Sequence, residues 1–506
     1  MPSEPSLKKP ELIRQIGLIT VISCGIGSII GSGIFKKPGV MATQLGSPEL
    51  LVLVWIVAGL MTLFGSLSVA EISGMFTDCG GQYSYFNRTY NRFVGFLYGW
   101  AVFAIIQTGS IASLAYVFSD SLGYFLHFPR LPVSWESCAL HIPFLGDITP
   151  FKFFGLKLCT IALIMFLTMI NYLGVKLGGA IQILFTSMKV LTITVIIVCA
   201  FSLGQGDAAH FSESTIAPGT SFSSIFLAFI IAMSGAFWAY DGWINVTYIS
   251  GEINNVQKTL PRSMLITAVT VMIIYILVNL AYIYVIPVGE MAAKYTGAEA
   301  QGQSYLVATD VARTFWGNWS GSLIAVAIMI STFGAMNGTI MMTARVHYSM
   351  SREGLFFRKI GEINPRFRTP GPSLMVQGIW SSLLVLSGTF DQLTDMLIFV
   401  SWIFYAAAAF GVIILRRKMP DAHRPYRVWG YPAVPILFVL FASIFVAFTL
   451  YTDITGFLSG RMPLINSLMG VLLVSLGIPG YLYWERKRRK NSGLLAEENK
   501  DDTCTT

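Results

Sequence analysis

Apolar runs constrain this chain more than any other feature. About twelve of them, each roughly 18 to 27 residues long, lie near positions 17–43, 50–74, 93–125, 152–173, 179–203, 222–250, 262–286, 320–350, 373–389, 394–416, 432–451 and 466–484. Each is long enough to cross a hydrocarbon layer of about 30 Å. In that layer backbone N–H and C=O groups must pair within the segment, so the runs are read as helices. The composition agrees: 54% of the 506 residues are hydrophobic and 12% are charged, about half the charged share of a soluble domain. The mean hydropathy is +0.65. The first run is too long for a signal-peptide core and lacks a small-residue cleavage site, so the N-terminus is expected in the mature chain.

The net charge of +8 is a topology signal rather than a nucleic-acid one. With both termini in the cytoplasm, about 25 of the Lys and Arg residues fall on the cytoplasmic side and about 8 outside, as the positive-inside rule asks. Arg416-Arg417-Lys418 and the run Arg486 to Lys490 contribute most and read as membrane stop signals. The protein is expected in a plasma membrane, the inner membrane of a bacterium, with both termini cytoplasmic. Of six cysteines, Cys24, Cys159 and Cys199 read as small apolar packers. Cys79 and Cys504 fall on the cytoplasmic side, and Cys138 stands alone in an outer loop. Neither cysteines nor histidines show metal-ligand spacing, and no cofactor is implied.

Inside the first run lies Gly25-Ile26-Gly27-Ser28-Ile29-Ile30-Gly31-Ser32-Gly33-Ile34-Phe35. Each glycine weakens a helix by roughly 1 kcal/mol relative to alanine. Close packing through Gly27-x-x-x-Gly31 is one account. The other is a broken helix whose freed backbone groups bind an anion at mid-membrane depth. The sixth run decides between them. Ser234-Gly235-Ala236-Phe237-Trp238-Ala239-Tyr240-Asp241-Gly242-Trp243 interrupts it about 210 residues later, so two interrupted spans each open a five-span block. Asp241 is also read as a helix cap, and Trp238 as packing or as a lid.

Other polar residues in the runs carry two readings each. Lys189, in the fifth run, either snorkels to the inner interface or places its charge inside the bundle, where a coupling cation would sit. Glu71, at the inner end of the second run, must face protein or water. Gln107, Thr108, Ser110 and Ser113 read as helix–helix hydrogen bonding or substrate contact. Ser331, Thr332 and Asn337 read mainly as packing. The polar tail after about residue 491 reads as disordered.

Gly27 to Phe35, Gly80-Gly81-Gln82-Tyr83, Trp238 to Trp243 and Ser351-Arg352-Glu353-Gly354 together resemble the L-type amino acid transporter family of the amino acid–polyamine–organocation superfamily. The resemblance spans about residues 15 to 485. It implies an all-α polytopic membrane protein with a 5+5 inverted-repeat transporter fold and broken helices 1 and 6. The expected division is a cytoplasmic segment 1–14, a first repeat 15–205, a second repeat 206–416, two further helices in 417–485 and a cytoplasmic tail 486–506.

The resemblance also implies alternating-access exchange of amino acids, usually without sodium, and no enzyme activity. Backbone groups of Ser32 and Gly33 would take the substrate carboxylate. Carbonyls of Ile29, Trp238 and Asp241 would take its amino group. Trp238 sits at the family's gating aromatic, and Lys189 at a lysine that substitutes for a sodium ion. Helix termini carry roughly half a charge each and suit the two ends of a zwitterion.

The chain resembles stand-alone bacterial members more than animal ones. Ile244 stands where several animal light subunits have Asn, and the loop carrying Cys138 differs from the one that carries their heavy-subunit disulfide. The expected partners are therefore an amino acid and the lipid bilayer, without a heavy subunit, and Cys138 stays open as the alternative site of such a disulfide. Neutral, small amino acids are the expected substrates. Ion-coupled symport, exchange of cationic amino acids or cystine, and a non-transporting sensor remain as alternatives.

Overall fold

The structure is a computed structural model, and it describes residues 14, 16–142, 146–203, 205–300, 305–388 and 390–503. Most of the expected 1–14 segment, together with Cys504, lies outside them. The regular structure of the described chain is helical apart from a two-stranded antiparallel ribbon, β1 (Leu140–Ile142) with β2 (Gly146–Ile148).

The first apolar run forms two helices, α1 (Leu18–Ile29) and α2 (Gly33–Leu45). Next come α3 (Pro48–Met75), the short α4 (Gln82–Thr89), and α5 (Arg92–Leu122), which is wound as a π-helix over Val102–Ile106. After the ribbon come α6 (Phe154–Leu173), α7 (Val175–Ser202) and α8 (Phe222–Tyr240). A 3₁₀ segment, Asn245–Glu252, precedes α9 (Val256–Val285). The remainder comprises α10 (Val288–Ala300), α11 (Val307–Trp316), α12 (Ser320–Arg352), α13 (Gly371–Ser387), α14 (Phe390–Lys418), α15 (Ala433–Leu458), α16 (Asn466–Ser475) and α17 (Gly477–Thr503).

Eleven segments among the described residues are long and apolar enough to cross a membrane. Eleven of the expected runs match them. The twelfth, expected at 373–389, is α13, whose 17 residues span about 26 Å. α17 continues beyond the spanning segment into the polar tail.

The helix ends follow local chemistry. Ser47 caps α3, its side chain accepting from Leu50 N at 3.2 Å, with Pro48 in the first turn where no N–H is needed. Asn91 caps α5 through Val94 N at 3.0 Å. Gly80 and Gly81 adopt φ of +94° and +50°. A Cβ on Gly81 would lie 2.5 Å from the Thr247 backbone, so glycine lets the turn before α4 reach the second broken segment.

The bundle has an inner and an outer layer. In α5, 89% of the spanning window is buried; in α15 it is 28%. The polar residues of α5 therefore face protein, while α15 shows most of its surface outward. One face carries Arg416, Arg417, Lys418 and the Arg486 to Lys490 run and is termed the basic face. The opposite face carries residues 126–142 and 146–151, α10 and α11.

Glu71 meets protein, as its depth requires. Its carboxylate accepts from Arg416 at 2.9 and 2.7 Å and from Val428 N at 2.7 Å, and Arg424 lies 3.2 Å away. It clamps the loop after α14 onto α3.

Candidate substrate site

The two breaks meet at one cavity. α1 ends at Ile29, Ile30 turns to φ −72°, ψ 96°, and α2 restarts at Gly33. α8 ends at Tyr240, Asp241 turns to ψ 158°, and Gly242 takes φ +95°. The second half is 3₁₀ rather than α. Gly33 packs so closely on α8 that a Cβ there would lie 2.6 Å from Ala239 Cα. Ser28, Ile29, Gly31, Ser32, Gly33, Ser110, Leu114, Trp238 and Asp241 line the cavity. The structure thus brings together Ile29, Ser32, Gly33, Trp238 and Asp241. Ser110 joins them, while Gln107 instead donates to Asn245 Oδ1 at 2.8 Å. Ser28 Oγ, Ser32 Oγ and Trp238 Nε1 are buried there without a hydrogen-bond partner among the described residues.

A broken helix leaves carbonyls without intrahelical donors, and these must be satisfied. Side chains from three other helices do so. Lys189 on α7 donates to Gly27 O at 2.8 Å and Ile30 O at 2.7 Å and is 1% exposed. Its charge therefore sits inside the bundle, and the snorkelling account is set aside. Ser331 on α12 lies 3.3 Å from Ile30 O and 3.0 Å from Gly31 O. On α9, Tyr275 Oη lies 2.9 Å from Ala239 O and 3.2 Å from Ile29 O, so one hydroxyl faces the ends of both broken helices.

Asp241 does not cap the segment after it. Ile244 holds the cap position without a side-chain bond. The Asp241 carboxylate instead accepts from Tyr405 on α14 at 2.7 Å. Sequence reading missed Tyr275 and Tyr405. The available signal was a phenol in the middle of an apolar run, which needs a polar partner when buried.

Trp238 meets Phe390 edge-on at 5.8 Å between centroids, on the side of the cavity toward the opposite face. Lys36 and Lys37 Nζ lie 4.8 and 5.0 Å from the centre of the Phe390 ring. Toward the basic face, Arg345 on α12 forms a buried pair with Glu252, with Nε to Oε1 at 2.8 Å. Below it the incoming chain is stitched to the 3₁₀ segment, with Ile16 N on Glu252 O at 3.0 Å and Asn254 N on Ile16 O at 2.9 Å. Contacts thus bound the cavity on both sides.

No trio of His, Cys, Asp or Glu able to hold a metal occurs among the described residues. Cys138 is exposed in the outer loop, and the described cysteines are free thiols.

A spanning helix broken at a small-residue turn, satisfied by a lysine and facing a second break, is the arrangement that the motifs implied. The amino acid permease family model matches residues 16–474. The chain belongs to this family. It is 32% identical to the serine/threonine exchanger SteT of Bacillus subtilis (strain 168), over 95% of this chain and 98% of that protein. It is 30% identical to the human cystine/glutamate transporter, over 96% of this chain and 88% of that one. The mouse b(0,+)-type amino acid transporter 1 is 29% identical over 87% of this chain. The permease is therefore an all-α, multi-pass membrane protein among amino acid transporters.

Proposed function

We propose that this permease is a sodium-independent exchanger of small neutral L-amino acids. It works by alternating access, as a 5+5 inverted repeat with halves at 15–205 and 206–416. The observation that carries the reading is the pair of facing breaks around one cavity, with a lysine fixed on the α1 carbonyls. The substrate carboxylate lies against the start of α2, at the N–H groups of Ser32 and Gly33, where the helix dipole is positive. The α-amino group lies against the carbonyls that end α1 and α8, at Ile29, Trp238 and Asp241. Ser28, Ser32 and Ser110 leave a small polar pocket for the side chain, which suits serine, threonine or alanine. The serine/threonine exchanger among the relatives supports that range.

Lys189 occupies the place where a sodium ion would hold α1 to its neighbours. Trp238 with Phe390 closes the outer route. The basic face is cytoplasmic by the positive-inside rule, the membrane is the plasma membrane, and the chain works without a heavy subunit.

A second reading rests on Asp241, an acidic residue that lines the cavity. It allows cationic amino acids, whose distal charge it would meet.

The test is uptake of radiolabelled serine into proteoliposomes that are empty or preloaded with serine, with and without sodium. Uptake that needs preloading and ignores sodium is expected. Sodium- or proton-driven uptake into empty vesicles would overturn exchange, and arginine outcompeting serine would favour the second reading.

A further inference from the structure

Between the Trp238–Phe390 contact and the opposite face lies a second cavity, of about 650 Å³. Two of the helices that wall the substrate cavity, α2 and α5, also line this one. On α5, Ser110 and Leu114 face the substrate cavity, and Val117 and Ser121 face the second one. Their spacing of three to four residues puts all four on one face of the helix. On α2, Gly33 lines the first cavity and Lys36, one turn on, lines the second. A molecule leaving one cavity along this face enters the other as soon as the Trp238–Phe390 contact parts.

The second cavity contains both signs of charge. Lys36 Nζ and Asp120 Oδ2 form an ion pair at 3.0 Å, with side chains 19% and 31% exposed. Across from them, Asp310 is held by Lys294 at 3.0 Å, by Arg313 at 3.5 Å and by Tyr305 Oη at 3.1 Å. Asp310 thus has two cationic partners, while Asp120 is paired to Lys36, whose ammonium also lies over the Phe390 ring and is near Asp391. A free α-amino acid carries a carboxylate and an ammonium on one carbon. Placed at the Lys36–Asp120 pair, it replaces one ion pair by two, carboxylate to Lys36 and ammonium to Asp120. Partial shelter in a concave wall strengthens such pairs over those in bulk water.

We propose that Lys36 and Asp120 form a second, external binding site for the zwitterionic backbone of the amino acid. There the substrate waits until Trp238 and Phe390 open. The inference rests on the exchange reading above and adds a site upstream of the cavity at the helix breaks. Because both Lys36 and Asp120 contact only the backbone groups of the ligand, this site accepts α-amino acids of either small or large side chain. Selection is left to the inner cavity.

The test uses the full-length protein in preloaded proteoliposomes, with serine as the probe. Lys36→Gln and Asp120→Asn are each expected to raise the external half-saturation constant about tenfold, the effect of losing one charged contact. Maximal exchange and the internal half-saturation constant stay within about twofold. Equilibrium binding of labelled serine to the purified protein falls from two molecules per chain to one. The charge-swapped double variant Lys36→Asp with Asp120→Lys separates binding from latching. It restores an ion pair but reverses the order of charges along the entry path. An elevated external constant in the swap supports the site. A swap that behaves as wild type, or single variants that change only turnover, would show a latch and overturn it. If wild-type protein exchanges no serine, the functional reading fails. If it exchanges serine and Lys36→Gln keeps the wild-type external constant, this inference alone fails. Thermal melting of each variant checks that the fold is retained.

Discussion

At the scale of single residues, the broken helices depend on a few side chains that reach in from their neighbours. Lys189 donates two charge-assisted hydrogen bonds to α1 carbonyls, each worth roughly 1.5–3 kcal/mol. Lys189→Ala leaves Gly27 O and Ile30 O buried without these donors. Exchange is expected to fall more than tenfold, roughly the effect of losing one such bond, while surface expression falls far less; equal losses of both would show a folding role only. Tyr275→Phe removes the hydroxyl between Ala239 O and Ile29 O and changes no volume. Serine exchange should drop about tenfold, read by uptake against a binding control. Trp238→Ala should bind serine and exchange it poorly, because the lid is gone and the helix ends remain. Unchanged exchange would remove Trp238 from the gating role. Of these residues the sequence displayed Lys189 and Trp238 clearly, since a lysine and a tryptophan beside glycine breaks are rare in a spanning run. For Tyr275 the phenol in an apolar run signalled a need for a polar partner but not which one, because a tyrosine in an apolar helix has the same appearance wherever it points. Its role depends on two carbonyls about 36 and 246 residues away in the chain.

Elements depend on clamps that are equally remote in sequence. Glu71 is 2% exposed at its side chain and holds Arg416 with both oxygens, while Arg424 at 4% lies against it. Glu71→Gln strands these cations beside a neutral amide. Breaking one side of a buried pair costs about 3–5 kcal/mol, so the melting temperature of the purified protein should fall by several degrees. An unchanged melt would show that the loop after α14 is held by packing instead. The order of the helices was legible from run lengths, and both breaks from glycines and Asp241. The 3₁₀ winding of Asn245–Glu252 was not, because Asn-Val-Thr-Tyr-Ile-Ser carries no periodic signal that separates 3₁₀ from α. Nor was the partner of Asp241. An acid at a helix break reads as a cap, and only the fold brings Tyr405 to it.

For the whole molecule, closure toward the basic face gathers the Glu252–Arg345 pair, the Ile16 bridge and Cys79. Cys79 lies in the turn before α4, outside the spanning helices. Burial first, and the nearby Glu252 carboxylate second, push its thiol up to about 11. Only the thiolate reacts with maleimides. In this closed form, labelling of Cys79 should be slow near neutral pH and rise about tenfold per pH unit toward 11, whereas an ordinary cysteine levels off near 8.5. A plateau near pH 9 would mean that the basic face stands open in solution. Adding serine to the inside, which lets the protein cycle, should speed labelling at fixed pH.

The lysine proposed here to stand in for an ion has a consequence for energetics. A dissociable ion enters with the cargo, leaves with it, and lends the slope of its own gradient to the work. The ammonium of Lys189 is tied to α7 by its side chain and never crosses the membrane. In the proposed cycle, then, no cation gradient is available to do work on the amino acid. Each tenfold ratio of one amino acid across the membrane, about 1.4 kcal/mol, sustains at most a tenfold ratio of another moving the opposite way. Such a protein redistributes the cell's amino acids among themselves at constant total, and any net gain must be driven by a different carrier.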